Sequence, residues 1–297
     1  MKKLGLAHKM MLVVCLPLLA LLFFSGRYVY ERYRVEQEMS GALVALAVVK
    51  EAAQLAHELQ RERGMSAGFL GSGGNKFRDA LPAQRKVVDT LLAGFHQDPA
   101  LLALTEVQQA LTGLTAMRER VSALGVEVAE QVGFYTRLVT ALLAVVDKIS
   151  VDSMDATIAL QTNAYAAFLQ SKERAGLERA TLSNVFGRDS FTPALLQQFI
   201  SLLAAQSTYL ERFQALASPS QRQLLADSLA SPVVAKVADI EKLALEKAAS
   251  GGFGVDAEAW FALSTDKISL LKESEDRLYQ QLYDRVEQMR ARSASDF

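Results

Sequence analysis

From Met10 to Phe24 the chain reads MMLVVCLPLLALLFF, and no charge appears before Arg27. A spanning helix needs roughly 20 apolar residues, with about 17 as the lower limit, so residues 10–26 are just long enough. Beyond them the pattern changes. Apolar residues recur at three- and four-residue spacing in segments rich in Ala, Leu, Gln, Glu, Lys and Arg, with few alternating runs. That pattern predicts helix almost throughout. No small-x-small cleavage site follows the apolar run, which exits into SGRYVYERYR, and Val14 before Cys15 is a poor residue for lipoprotein processing. The run therefore reads as an uncleaved signal anchor over residues 10–26, with Tyr28 and Tyr30 at the membrane interface. Lys2, Lys3 and Lys9 are balanced by Arg27, Arg32 and Arg34, so charge leaves the orientation open. The expected arrangement is a single pass through a bacterial inner membrane. Residues 1–9 would be cytoplasmic, and the helical body, 35–292, periplasmic.

Punctuation divides the body. Pro99, Pro193, Pro219 and Pro232 follow Asp98, Thr192, Ser218 and Ser231, and each pair matches an N-cap with proline at the first helical position. Pro82 fits the first turn of a helix after GSGGNKF, and glycines at 71–74 and 251–254 mark loops. The expected helices run from the anchor to about 70, then over 77–96, 99–125, 127–187, 193–216, 219–230, 232–249 and 255–292. Long helices with short connections imply antiparallel bundles. The fold class is all-α.

Within this pattern two arginines fall on the wrong side. In LQRERGMSAGFLGSGG (59–74), Arg63 lies four residues after Leu59, three before Ser66 and seven before Leu70, inside an apolar stripe. Arg179, in ERATLSNVFG (178–187), repeats this with Ala175, Leu182 and Phe186 at −4, +3 and +7. Residues 62–71 (ERGMSAGFLG) and 178–187 share an opening Glu-Arg, an apolar pair before the end and a closing glycine. A buried arginine needs a partner, because an unpaired buried charge costs several kcal/mol. One reading is a structural ion pair with Glu62, Glu178 or Glu58. The other makes the partner a ligand: two planar, always-charged forks facing one cavity form a clamp for a small planar anion, with Ser66 and Thr181 as further donors.

Composition narrows the chemistry. The chain has 297 residues, 51% of them hydrophobic, and a net charge of −1, which supplies no basic stripe for nucleic acid. The single Cys15 and the scattered His8, His57 and His96 form no disulfide framework, zinc cluster or triad. No nucleophile–base pair or phosphate loop is present, so neither an enzyme nor a cofactor is expected. Gln84, Arg85 and Asp89 read as surface and capping groups; Phe134, Tyr135, Tyr165 and Phe168 as core; and KESEDR (272–277) as an exposed face with a Lys272–Asp276 pair.

The segment ELQRERGMSAGFLGSGG, with the following KF and LPAQRKVVDT, resembles the opening signature of the nitrate- and nitrite-sensing (NIT) domain family. SKERAGLERATLSNVFG resembles its second signature, and Trp260 sits where the closing helix would be. The similarity covers about residues 40–290. It implies two packed four-helix bundles with nitrate or nitrite bound near arginines between them: Arg63 and Arg179 first, then Arg61 and Arg174. Sensors of this family continue into a signalling module, or in soluble members an RNA-binding antiterminator domain. Here the chain ends near where a second span would start. The expectation is a membrane-anchored sensor whose helix packing shifts on binding and signals to a partner, as a homodimer or through a separate protein. The alternative is a ligand-free adaptor bundle docked on a membrane protein.

Overall fold

The computed structural model describes residues 6–95, 104–151 and 156–295. Ten helices occur among them, and no strand. They are α1 (Leu6–Gly71), α2 (Ala80–Phe95), α3 (Thr105–Leu111), α4 (Leu114–Ser122), α5 (Val128–Val151), α6 (Ala156–Arg188), α7 (Pro193–Leu216), α8 (Pro219–Leu229), α9 (Pro232–Glu246) and α10 (Ala257–Ser295). The chain divides into two units, one of residues 1–44 with 283–297, the other of residues 45–282.

The starts of three helices follow from their caps. Thr192 accepts from Leu195 N (3.2 Å) and Ser231 from Val233 N (3.4 Å), while Ser218 and Gln221 form a reciprocal capping box. Each cap is followed by proline, whose missing N–H costs nothing in the first turn. The expected Asp98–Pro99 start lies outside the described residues. The helix expected over 99–125 is broken at Gly113, whose φ of 94° lies in the left-handed region, so α3 and α4 are separate pieces. The one expected over 127–187 is described as α5 and α6, with residues 152–155 outside the described ones. Gly251 is required by close approach as well as by its φ of 65°: a Cβ there would lie 2.4 Å from the carbonyl oxygen of Asp189.

The larger unit holds two four-helix bundles built around the two long helices. In the first, Glu62 of α1 is the hub. Arg118 of α4 donates to it from Nε (2.7 Å) and Nη2 (2.8 Å), and the Tyr135 hydroxyl of α5 donates at 2.7 Å. Gln84 of α2 donates to the Glu58 side chain (2.7 Å), and Arg85 donates to Ser122 (2.8 Å). Gln84 and Arg85 are thus inter-helix ties rather than the surface and capping groups their spacing suggests, while Asp89 is a surface group that pairs with Arg118 of α4 (2.5 Å). The second bundle joins α6 to α7, α9 and α10 through one apolar cluster: Leu182, Val185, Phe186, Phe199, Val237, Ala244, Phe253 and Trp260. Ser274 of α10 donates to Ser228 at the end of α8 (2.8 Å). KESEDR is only partly exposed, since Ser274 and Glu275 are buried.

The smaller unit contains the apolar run. It belongs to α1, a helix long and apolar enough to cross a membrane by length and composition, and its apolar window is fully exposed. The pairs Arg27–Glu31 (2.9 Å) and Arg34–Glu38 (3.2 Å) follow it along the helix.

Candidate functional site

The bundles of the larger unit meet along α1 and α6, and both seam arginines lie in that contact. Arg63 is 3% and Arg179 8% exposed, as the apolar spacing predicts. Each guanidinium lies against a glycine of the opposite helix. A Cβ on Gly64 would sit 2.8 Å from Arg179 Nη2, and one on Gly176 would sit 3.3 Å from Arg63 Nη2. Each also donates to a threonine of its own bundle, Arg63 to Thr136 of α5 (2.9 Å) and Arg179 to Thr265 of α10 (2.8 Å). Both threonines spend their own proton on a carbonyl one turn back, Val132 and Phe261. They therefore face the arginines as acceptors.

The symmetry breaks at the carboxylate. Glu173 of α6 accepts from both ends of Arg63, Nη1 at 2.6 Å and Nη2 at 3.0 Å, and from Gln60 at 2.8 Å. This is a buried, bidentate pair that neutralises Arg63. Arg179 has no carboxylate within 4 Å among the described residues. Its guanidinium lies 4.6 Å from the centre of the Phe261 ring, an attraction that does not neutralise the charge. Burial, and after it the nearby Arg63, lowers its pKa to about 10, so it is protonated at neutral pH. Trp260 anchors the backbone here, its Nε1 donating to the Arg179 carbonyl at 3.0 Å. Arg63 thus has an ion pair, with Glu173 rather than Glu62, Glu178 or Glu58, and Arg179 is a buried cation without one among the described residues.

The remaining candidates are distributed as follows. Ser66 is fully buried one turn beyond Arg63, and its hydroxyl has no hydrogen-bond partner. Thr181 donates to the Leu177 carbonyl (2.9 Å); two residues past Arg179, it projects from the other side of α6. Arg174 reaches toward α7, where it lies 4.8 Å from the centre of the Tyr209 ring and donates to the Gln170 carbonyl. Arg61 is half exposed and pairs with Glu58 at 3.3 Å. The seam therefore joins Arg63 and Arg179, not Arg61, Arg174 or Thr181, with Ser66 buried one turn away on α1. Sequence reasoning missed Glu173, Gly64, Gly176, Thr136 and Thr265. The glycines carried a signal in ERG and RAG: glycine in a helix interior costs about 1 kcal/mol relative to alanine, which close approach of another group repays.

A second buried network lies farther along α1, α6 and α10. Lys172 pairs with Glu275, both almost wholly buried, and its Nζ lies 3.4 Å from His57 Nδ1. Burial first, then Lys172, pushes the His57 pKa down to about 2, so the imidazole is neutral.

The larger unit is thus an all-helical, two-bundle body with a buried guanidinium at its seam. Residues 54–283 match the family model described as nitrate and nitrite sensing, and the chain belongs to that family. It is 31% identical over 234 residues to a nitrate regulatory protein of Klebsiella oxytoca, a match over 75% of this chain and 59% of that relative's length. It also resembles the structure of the NasR transcription antiterminator, with a TM-score of 0.78 and 26% identity over 89% of this chain and 74% of that one.

These relatives correct the expected setting. One is named as a nitrate regulatory protein and the other as a transcription antiterminator, so similar chains occur in regulators, one of which acts on transcription. An inner-membrane, periplasmic receptor signalling to a partner is not what they support, and neither is an adaptor docked on a membrane protein. The membrane expectation rested on one apolar helix near the N-terminus, a feature of length and composition alone. The exclusion of nucleic acid falls too: it rested on net charge, and a relative that acts on transcription removes its force.

Proposed function

We propose that this chain is a nitrate- and nitrite-responsive regulatory domain that holds the anion between α1 and α6, with Arg179 as its principal contact. The observation that carries this reading is the buried Arg179 guanidinium, which meets no carboxylate within 4 Å among the described residues. Transferring such a charge from water is costly, and the cost falls when a counter-ion enters. A planar anion suits a planar fork, which can donate two parallel hydrogen bonds to two of its oxygens. The buried Ser66 hydroxyl, one turn from Arg63 and without a partner among the described residues, is a candidate further donor. The family match and the nitrate regulatory relative support nitrate or nitrite as that anion, and the two relatives support control of gene expression as the output.

Thermal melting of the full chain tests this. A ligand that binds only the folded state adds about 2.7 kcal/mol at 100 times Kd. Nitrate should raise Tm, and chloride at equal ionic strength should not. Arg179→Ala should abolish the shift at little cost to stability without anion, because it removes an uncompensated charge. Arg63→Ala should also lose the response, but at a cost of about 3–5 kcal/mol, since it strands Glu173. An unchanged nitrate shift in Arg179→Ala would remove the proposal.

A further inference from the structure

The seam contains a charge count that the arginines alone do not reveal. Arg63 and Arg179 contribute two positive charges, and Glu173 removes one of them through its bidentate bond. Arg179 meets the Thr265 hydroxyl (2.8 Å) and the Phe261 ring instead, and no carboxylate within 4 Å among the described residues. The neighbouring charges are already matched: Lys172 by Glu275, Lys272 by Glu275 and Asp276, and Arg61 by Glu58. What remains uncompensated in the seam is one positive charge.

We infer that Glu173 is the specificity-determining residue of this site, a built-in anion that occupies the Arg63 fork and restricts the seam to one monovalent guest. The inference rests on the seam being the nitrate or nitrite site, as proposed above. With Glu173 in place, a monovalent anion brings the buried cluster to neutrality. A divalent anion such as sulfate leaves an excess negative charge where desolvation is most costly. Fixed geometry makes this selection effective. Glu173 is 2% exposed, receives three hydrogen bonds from Arg63 and Gln60, and faces a guanidinium that packs against Gly176. It cannot turn out to water and admit a second charge in its place without stranding those donors.

Melting of the full chain with sodium nitrate and sodium sulfate at matched ionic strength separates this inference from the reading beneath it. Wild type should respond to nitrate and not to sulfate. Glu173→Gln keeps the shape and removes the charge, so it should gain a sulfate response, with the sulfate Kd falling by at least about tenfold. Thr265→Asp puts a carboxylate where the Thr265 hydroxyl now accepts from Arg179 (2.8 Å) and should silence the response to both anions. If wild type ignores nitrate, the proposed function fails and takes this inference with it. If wild type takes sulfate as readily as nitrate, or Glu173→Gln responds to nitrate alone, the site stands and Glu173 has no selecting role. If Glu173→Gln does not fold, Thr265→Asp decides: a retained nitrate response overturns the charge count.

Discussion

Arg63 and Arg179 look alike in sequence and differ in electrostatics. Both sit in apolar stripes, both press on a glycine, and both donate to a threonine whose hydroxyl is already committed. Only Arg63 has a carboxylate. Glu62 and Glu178, the nearest acids in sequence, cannot serve, because adjacent residues on a helix point about 100° apart. Glu62 instead turns into the first bundle and Glu178 toward Gln206 of α7. Spacing shows that an arginine is buried; it does not show what meets it from another helix. Gly64→Ala isolates this contact. Alanine is favoured over glycine in a helix by about 1 kcal/mol, but its Cβ would lie 2.8 Å from Arg179 Nη2 and push the guanidinium aside. The expected outcome is unchanged or slightly raised thermal stability with a weakened nitrate shift, both read from one pair of melts.

At the scale of elements, the first bundle depends on a single carboxylate. Glu62 is fully buried and takes hydrogen bonds from α4 and α5, with Arg85 of α2 3.6 Å away. Burial, and then the charge of Glu62, pushes the Tyr135 hydroxyl well above its ordinary pKa, so Tyr135 remains a donor across the neutral range. Glu62→Gln should cost about 3 kcal/mol in urea unfolding, because it leaves Arg118 half-paired. A loss no greater than that of an exposed control such as Glu130→Gln would refute the hub. The helix starts capped by Thr192, Ser218 and Ser231 were legible in the sequence because a cap is satisfied within four residues. The break at Gly113 was not, since an isolated glycine is compatible with a continuing helix.

At the scale of the whole molecule, two buried groups set opposite pH limits. Burial raises the Glu178 pKa to about 8, with Lys267 opposing and Glu241 reinforcing the shift. The folded chain therefore holds this proton more tightly than the unfolded one, and stability falls as pH rises from about 4.5 through 8. His57 behaves in the reverse sense. Its pKa, lowered from 6.5 to about 2, means that the unfolded chain takes up the proton first, so stability falls as pH drops below about 6.5. The two slopes oppose one another between about 4.5 and 6.5, and above 6.5 that of Glu178 remains. Urea unfolding across pH should show Glu178→Gln flattening the branch from 6.5 to 8 and His57→Asn flattening the acid side. An unaltered profile in Glu178→Gln would assign the alkaline loss to other groups.

The amino-acid sequence by itself determined the helical class, the loops at 71–74 and 251–254, three capped helix starts and the burial of Arg63 and Arg179. All of these are local: they depend on 3.6-residue periodicity, on turn chemistry or on caps satisfied within one turn. The family resemblance was legible for the same reason, in contiguous signatures. The tertiary structure decided the partners. Glu173 reaches Arg63 across 110 positions of sequence, Thr265 reaches Arg179 across 86, and Trp260 reaches the Arg179 carbonyl across 81. A charge in a stripe has the same periodicity whether or not a carboxylate faces it. Packing α1 against α6 is what neutralised Arg63 and left Arg179 with no carboxylate among the described residues.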